Sequence, residues 1–178
     1  IKESNGKKLI SPVMQIAAIV NEIYVLILGV DIDTFFDIEE RIHLIEGRNI
    51  QNENEMIIGK NVQYRIKKKL KIGDEIIYES AKPWKIVGIF ESYKSQENSF
   101  IITDLEDLTK ATGRETHQFV TLKLDDLTRF EETKEKIIKY YGMFLMENPD
   151  LPNIEVHIQT EYVKGLSKIF VGLFMTNG

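Results

Sequence analysis

Asn54-Glu55-Met56-Ile57-Ile58-Gly59-Lys60-Asn61-Val62 is the stretch whose reading decides the fold class. Its polar opening and short apolar run predict a strand that passes directly into a helix at Gly59-Lys60-Asn61. That helix would carry Val62, Ile66 and Leu70 on one face. The glycine of Ile72-Gly73-Asp74-Glu75 is placed to end it with a left-handed cap. Residues 76–78 and 84–90 then read as an antiparallel pair of strands separated by Ser80-Ala81-Lys82-Pro83.

Working outward toward the N-terminus, residues 1–10 are centred on Asn5-Gly6 and read as a β-hairpin entered mid-strand. Residues 13–28 are aliphatic and β-branched except at Asn21-Glu22, which predicts two largely buried strands joined by a tight turn. After Gly29 come an aspartate turn at Asp31-Ile32-Asp33, then Phe35-Phe36, then the alternating residues 41–45. The last two are strand chemistry, closed by a glycine turn at Glu46-Gly47-Arg48. Toward the C-terminus, residues 99–102 read as a strand, and Thr103-Asp104-Leu105-Glu106 as a capping box that opens a helix. Residues 119–124 alternate as a half-buried strand. Thr128-Arg129-Phe130-Glu131 repeats the capping-box pattern, and Phe130, Ile137, Tyr141, Phe144 and Leu145 trace one face of a long helix that Asn148-Pro149 stops. Residues 154–158 are strand-like, and Thr160 caps a last helix carrying Val163, Leu166, Ile169 and Phe170. Strands and helices interleave, so the predicted class is α+β.

The 178 residues are 43% hydrophobic, enough for a packed core in one domain or two small subdomains. No apolar run approaches the roughly 20 residues needed to cross a bilayer. A net charge of -5 argues against a general affinity for nucleic acid or anionic lipid. With no cysteine, a disulfide framework, a thiolate metal site and a cysteine nucleophile are excluded together.

Motifs that would carry catalysis are absent. Neither Gly-x-x-x-x-Gly-Lys-Ser/Thr nor Gly-x-Gly-x-x-Gly occurs, so nothing cradles a nucleotide phosphate. His43, His117 and His157 have no partner at ligand spacing and read as ordinary strand or loop histidines. The pairs Asp31/Asp33 and Asp125/Asp126 read as turn formers bonded to local amides, in preference to a Ca²⁺ or catalytic site. Lys67-Lys68-Lys69-Leu70-Lys71 reads as a solvated helix end, and Trp84 as a packing residue. The expectation is no catalytic residue, no cofactor, no metal and no nucleic-acid partner.

Taken in order, six segments resemble one known family. They are Gly29-Val30-Asp31 with Phe35-Phe36; Glu46-Gly47-Arg48; Asn54 through Gly59; Leu70-Lys71-Ile72-Gly73-Asp74-Glu75; Trp84-Lys85-Ile86-Val87-Gly88-Ile89-Phe90-Glu91; and Asp104-Leu105-Glu106-Asp107-Leu108. Across residues 29–108 they are similar to the MacB-like periplasmic core domain of FtsX/MacB-type ABC transporter permeases. The resemblance implies a full protein with four transmembrane helices, this domain lying between the first and second on the extracytoplasmic (periplasmic) face. It implies a porter-like α/β subdomain with a β-rich inserted subdomain. Residues 1–28 would be the first part of the porter-like unit, some of which would precede Ile1. Residues 29–112 would be the insertion, and residues 113–178 the second part of the porter-like unit and a stalk toward a membrane helix. Its partners would be a cytoplasmic ABC ATPase, a periplasmic adaptor protein and a second permease copy in a weak homodimer or heterodimer.

The function implied is coupling of ATP hydrolysis to export or extraction of a substrate, through adaptor or substrate contacts and without enzymatic chemistry in this domain. A rival reading is a free-standing extracytoplasmic ligand-binding protein with a pocket between subdomains. A metal-dependent hydrolase using Asp31 and Asp33 stands third. No long apolar stripe is expected on the surface once the helix faces are assigned to the core, which predicts an isolated domain that is monomeric or weakly dimeric.

Overall fold

The computed structural model describes residues 1–20, 22–65, 69–78, 82–114, 119–147, 155–159 and 168–172. In chain order the elements are β1 (Glu3–Ser4), β2 (Lys7–Lys8), β3 (Ile10–Val20), β4 (Ile23–Val30), α1 (Ile32–Ile38), β5 (Ile42–Gly47), β6 (Glu55–Gly59), α2 (Lys60–Arg65) and β7 (Glu75–Ile76). They continue with β8 (Trp84–Ser92), β9 (Phe100–Asp104), α3 (Leu105–Thr112), β10 (Phe119–Lys123), α4 (Phe130–Glu147), β11 (Glu155–Gln159) and β12 (Lys168–Gly172). The α+β class predicted from the sequence is the one observed.

Two hairpins follow directly from turn chemistry. Asn5 and Gly6 both take positive φ, the requirement of a two-residue turn matched to strand twist, and Ser4 pairs Lys7. In the second, Val20 pairs Ile23 and Glu22 takes the positive φ, so β3 and β4 run together over eight residue pairs.

Apart from the β1–β2 hairpin, the strands form one sheet in the order β11-β12-β10-β3-β4-β9-β6-β8-β5, with β7 paired to β8. One half draws its strands from residues 10–30 and 119–172. The other, β9-β6-β8-β5, lies entirely within residues 42–104. The ladder between the halves is the parallel pairing of Leu26–Val30 with Phe100–Asp104. Alternation along β3 sends Met14, Ile16, Ala18 and Val20 to one face, where they join Val25, Ile27, Ile58, Trp84 and Leu108 in the larger core cluster. Val13, Leu28, Val30, Ile57, Phe90 and Ile102 belong to the opposite face, under Phe35 of α1. A Cβ on Gly29 would lie 2.8 Å from Leu108 Cδ2, so the bare backbone there is what lets α3 seat closely on β4.

Four expectations are corrected. Residues 32–38, read as turn and strand, are helical: Asp31 is the N-cap, its carboxylate accepting from Asp33 N, and Phe35 is buried at helical spacing from Ile38. The caps of the later helices are shifted. Asp104, not Thr103, accepts from the Glu106 and Asp107 amides, while Thr103 Oγ1 donates to Glu55 O within the sheet. Likewise Asp126 accepts from Thr128 before a short 3₁₀ turn leads into α4.

The third correction concerns α2, described over Lys60–Arg65 and no longer helical at Lys69 and Leu70. Leu70 reaches the core from irregular backbone tied down by a 3.0 Å bond from Gln63 Nε2 to its carbonyl, and Gly73, with φ near +90°, turns the chain into β7. Ile66 lies outside the described residues. Finally, Ile169 and Phe170, expected in a last helix, lie in β12 between β10 and β11. Five consecutive strand pairings on each side outweigh the helical spacing. Thr160, Val163, Leu166, Asn148 and Pro149 lie outside the described residues, as do 173–178.

Candidate functional site

On the α1 face the sheet carries a groove of about 250 Å³. Its floor and walls are Val13 and Gln15 of β3, Leu28 of β4, Phe100 of β9, and Phe119 and Thr121 of β10. Across from them stand Phe35, Glu39, Arg41, Ile42 and Glu97. Every strand adjoining the seam between the two halves therefore contributes to it.

Two anchors set the position of the α1 wall. Thr34 Oγ1 donates to Ile10 O at 3.0 Å. At the other end, the buried Lys123 of β10 pairs with Glu40 and donates to Asp37 O at 3.1 Å, placing a cation at the helix C-terminus where the backbone dipole favours it.

Beyond α1, Arg41 is gripped by two carboxylates. Its Nη2 lies 2.8 Å from both Glu39 Oε2 and Glu97 Oε1, and its Nε donates to Glu97 Oε2 at 2.9 Å. Ser92 Oγ donates to the same Glu97 oxygen at 2.6 Å, and Asn98 bridges the Ser92 backbone. These groups are committed to one another. The wall offers a fixed charge pattern, two acids to one base, beside an apolar floor, which suits it to binding and gives it no free nucleophile.

The same strand face continues past the groove. Alternation from Val13 and Gln15 leads to Ala17 and Ile19, and from Leu28 to Leu26 and Tyr24. Ile19 is 59% exposed and Tyr24 72%, and the two are directly opposite one another. This uncharged strip contradicts the expected absence of an apolar stripe. The two strands of the β3–β4 hairpin were expected to be largely buried, but on this face α1 covers only the end near Val30.

A second depression lies between α1, the 50–53 loop and the start of α3, lined by Asp33, Glu53, Asp104, Glu106, Asp107 and Lys110 among others. Its most buried carboxyl, Asp107, is pushed up by burial, an effect opposed by the Asn54 amide that bonds it at 2.7 Å. Asp33 pairs with Lys7, and Lys110 lies 3.3 Å from Glu53. Among the described residues no group of His, Asp and Glu is arranged to hold a metal ion.

The residues singled out in the sequence are dispersed. Asp31 and Asp33 begin α1. Asp125 and Asp126 bond the Asp126 and Thr128 amides, the local role expected of them. His43 is on the outermost strand, edge-on to Tyr93 at 5.2 Å, and His157 is on β11 opposite Phe170. His117, Lys67 and Lys68 lie outside the described residues. Of the basic run, Lys69 sits over the Tyr64 ring and Leu70 is buried. Trp84 is buried in the larger core, as expected. Sequence reasoning offered a pocket only in the rival ligand-binding reading and assigned to it none of the residues that line this groove.

The segment between β5 and β6 explains the motif residues. Glu55, 7% exposed, accepts from both Nη atoms of Arg48, from the Gln51 and Asn52 amides, and from Asn52 Nδ2. The Arg48 guanidinium, followed by Asn52 and the two amides, holds this carboxyl far below the ordinary carboxylate range against the opposing effect of burial. Gly47, with φ +78°, has no room for a side chain: a Cβ would lie 2.3 Å from Val87 O. The model of the MacB-like periplasmic core domain matches residues 3–140. The chain belongs to that family.

Among solved structures, the MacB-like domain is similar to the extracellular domain of the noncanonic ABC-type transporter YknZ from Gram-positive bacteria. The TM-score is 0.60 at 13% sequence identity, covering 72% of this chain and 71% of that one. No curated protein matches. At that identity the likeness shows a shared fold. No described helix is long and apolar enough to cross a membrane.

Proposed function

We propose that this domain sits on the extracytoplasmic face of an ABC permease and couples ATP hydrolysis, carried out elsewhere in the assembly, to export or extraction of a substrate. Its means is contact with the substrate or with an adaptor protein. The family match over residues 3–140 carries the reading. Residues 29–112 act as an inserted subdomain and residues 1–28 with 113–178 as the porter-like unit; the contiguity of β5 to β9 within residues 42–104 supports that division. Two permeases meet weakly, and their shared membrane complex raises the effective concentration of the contact.

The groove lies at the seam between the two units, where the rival ligand-binding reading would place its pocket. It is smaller than the roughly 300–1,000 Å³ typical of small-molecule sites.

The test is removal of residues 3–140 from the full-length permease, assayed together with its ATPase in membrane vesicles. Nucleotide hydrolysis is expected to persist while export stops. Export at the unaltered rate without the domain would overturn the coupling role.

A further inference from the structure

We infer that the seam groove is a docking site for a polypeptide partner, and that it takes a large apolar side chain flanked by basic residues. Volume, charge and continuity of surface point to this occupant together. The cavity, about 250 Å³, falls short of a typical small-molecule site, yet its lining of Val13, Leu28, Phe35, Ile42, Phe100 and Phe119 is that of an anchor pocket.

The ionised side chains that line it are Glu39, Glu97 and Arg41, two acids to one base. They are held in register by the Arg41 bonds and by Ser92, so this pattern is fixed before anything binds. A basic residue beside the anchor meets the carboxylate excess; an acidic one meets repulsion at short range.

Among the described residues the strand face also continues past the groove. Ala17, Ile19, Tyr24 and Leu26 follow Gln15 and Leu28 on that face, a strip without a charged side chain in a protein that is 29% charged. From Gln15 to Ile19 that strip runs about 13 Å, at the usual rise of a strand. An extended peptide anchored in the groove has there a neutral surface along which to lie, with Tyr24 as an amphipathic contact. An isolated small molecule would use none of it.

The site deepens the transporter reading by naming the chemistry of a partner contact, and rests on that reading only for the partner's setting. Its test needs no ATPase. The ¹⁵N-labelled 178-residue chain is titrated with a blocked hexapeptide carrying one Phe between two Lys, and amide shifts are followed by NMR. Saturable shifts are expected at Val13, Leu28, Phe100, Thr121 and Tyr24, with affinity at least tenfold lower when the peptide's Phe becomes Ala. Replacing its two Lys by Glu is expected to weaken binding by a similar factor, and raising salt to weaken the Lys peptide. Because Tyr24 is exposed, Tyr24→Ser is expected to keep the wild-type melting temperature and still lower affinity several-fold. Absence of saturable shifts at the groove, or equal affinity for the Lys and Glu peptides, overturns the proposal. Loss of export on deletion of the domain, with no peptide binding, would leave the coupling role standing and remove this site alone.

Discussion

The two halves of the sheet solve opposite problems. In the β9-β6-β8-β5 half the backbone approaches itself so closely that side chains are excluded. A Cβ on Gly59 would lie 2.3 Å from Asn98 O, and one on Gly88 2.5 Å from Arg48 O. The Arg48–Glu55 cluster then locks the intervening loop. The β3-β4-β10 half has a groove and an uncovered strip instead, bounded by one short helix and an ion-paired wall. The segments by which the family is legible crowd into the first half, while the surface available to a partner lies largely in the second. Motif residues here mark the scaffold, and they mark it because close packing tolerates so few alternatives.

This contrast breaks most directly at Glu55. Replacing it with Ala strips Arg48, Asn52 and two backbone amides of their acceptor at once, and is expected to cost about 3 kcal/mol in a denaturant titration. A pH series sharpens the result. Because the folded-state pKa of Glu55 is depressed, its contribution is complete above the unfolded value of about 4.3 and is lost as pH falls below it. The stability gap between wild type and Glu55→Gln is therefore expected to be widest near neutrality and to narrow toward pH 3; a gap independent of pH would remove the ion pair as its cause.

Next in size is Gly59→Ala, which drives a methyl group into the Asn98 backbone and is expected to cost about 1–3 kcal/mol. A change below 0.5 kcal/mol would mean that the segment after β8 yields, and that this half is not rigid. Smallest is Ile19→Ser on the open strip, expected to move stability by no more than about 0.5 kcal/mol. A loss of several kcal/mol there would show that the strip is covered in the folded protein, and the contrast between the halves would fail.

Much of the fold was legible because its signals are local. Strand alternation, the Asn5-Gly6 turn, and the passage from Met56-Ile57-Ile58 into a helix each act within a few residues. The errors arose where two local signals compete. Phe35-Phe36 favours strands by propensity, yet one aspartate one residue before the first turn is enough to start a helix. Ile169 and Phe170 suit either period, and pairing with strands remote in sequence decides between them. The groove gave no local signal at all, since its lining is drawn from segments around residues 13, 28, 39, 97 and 120, each contributing at most a few side chains. Ile19 and Tyr24 look like core residues in sequence; only the extent of α1 decides that they are not.

The bond from Thr121 Oγ1 to Ser11 O joins residues 110 positions apart, and this separation imposes a calendar on synthesis. The β3–β4 hairpin and all strands from β5 to β9 have been synthesised before Phe119 is made, whereas β10 arrives late and must find β3 across the length of the domain. Phe119 and Thr121 form one wall of the groove, and Lys123 helps pin the helix that forms another. A nascent chain thus has its rigid half in hand while the docking site still lacks a side, so the finished groove is also a certificate that translation has passed the last residue of that strand.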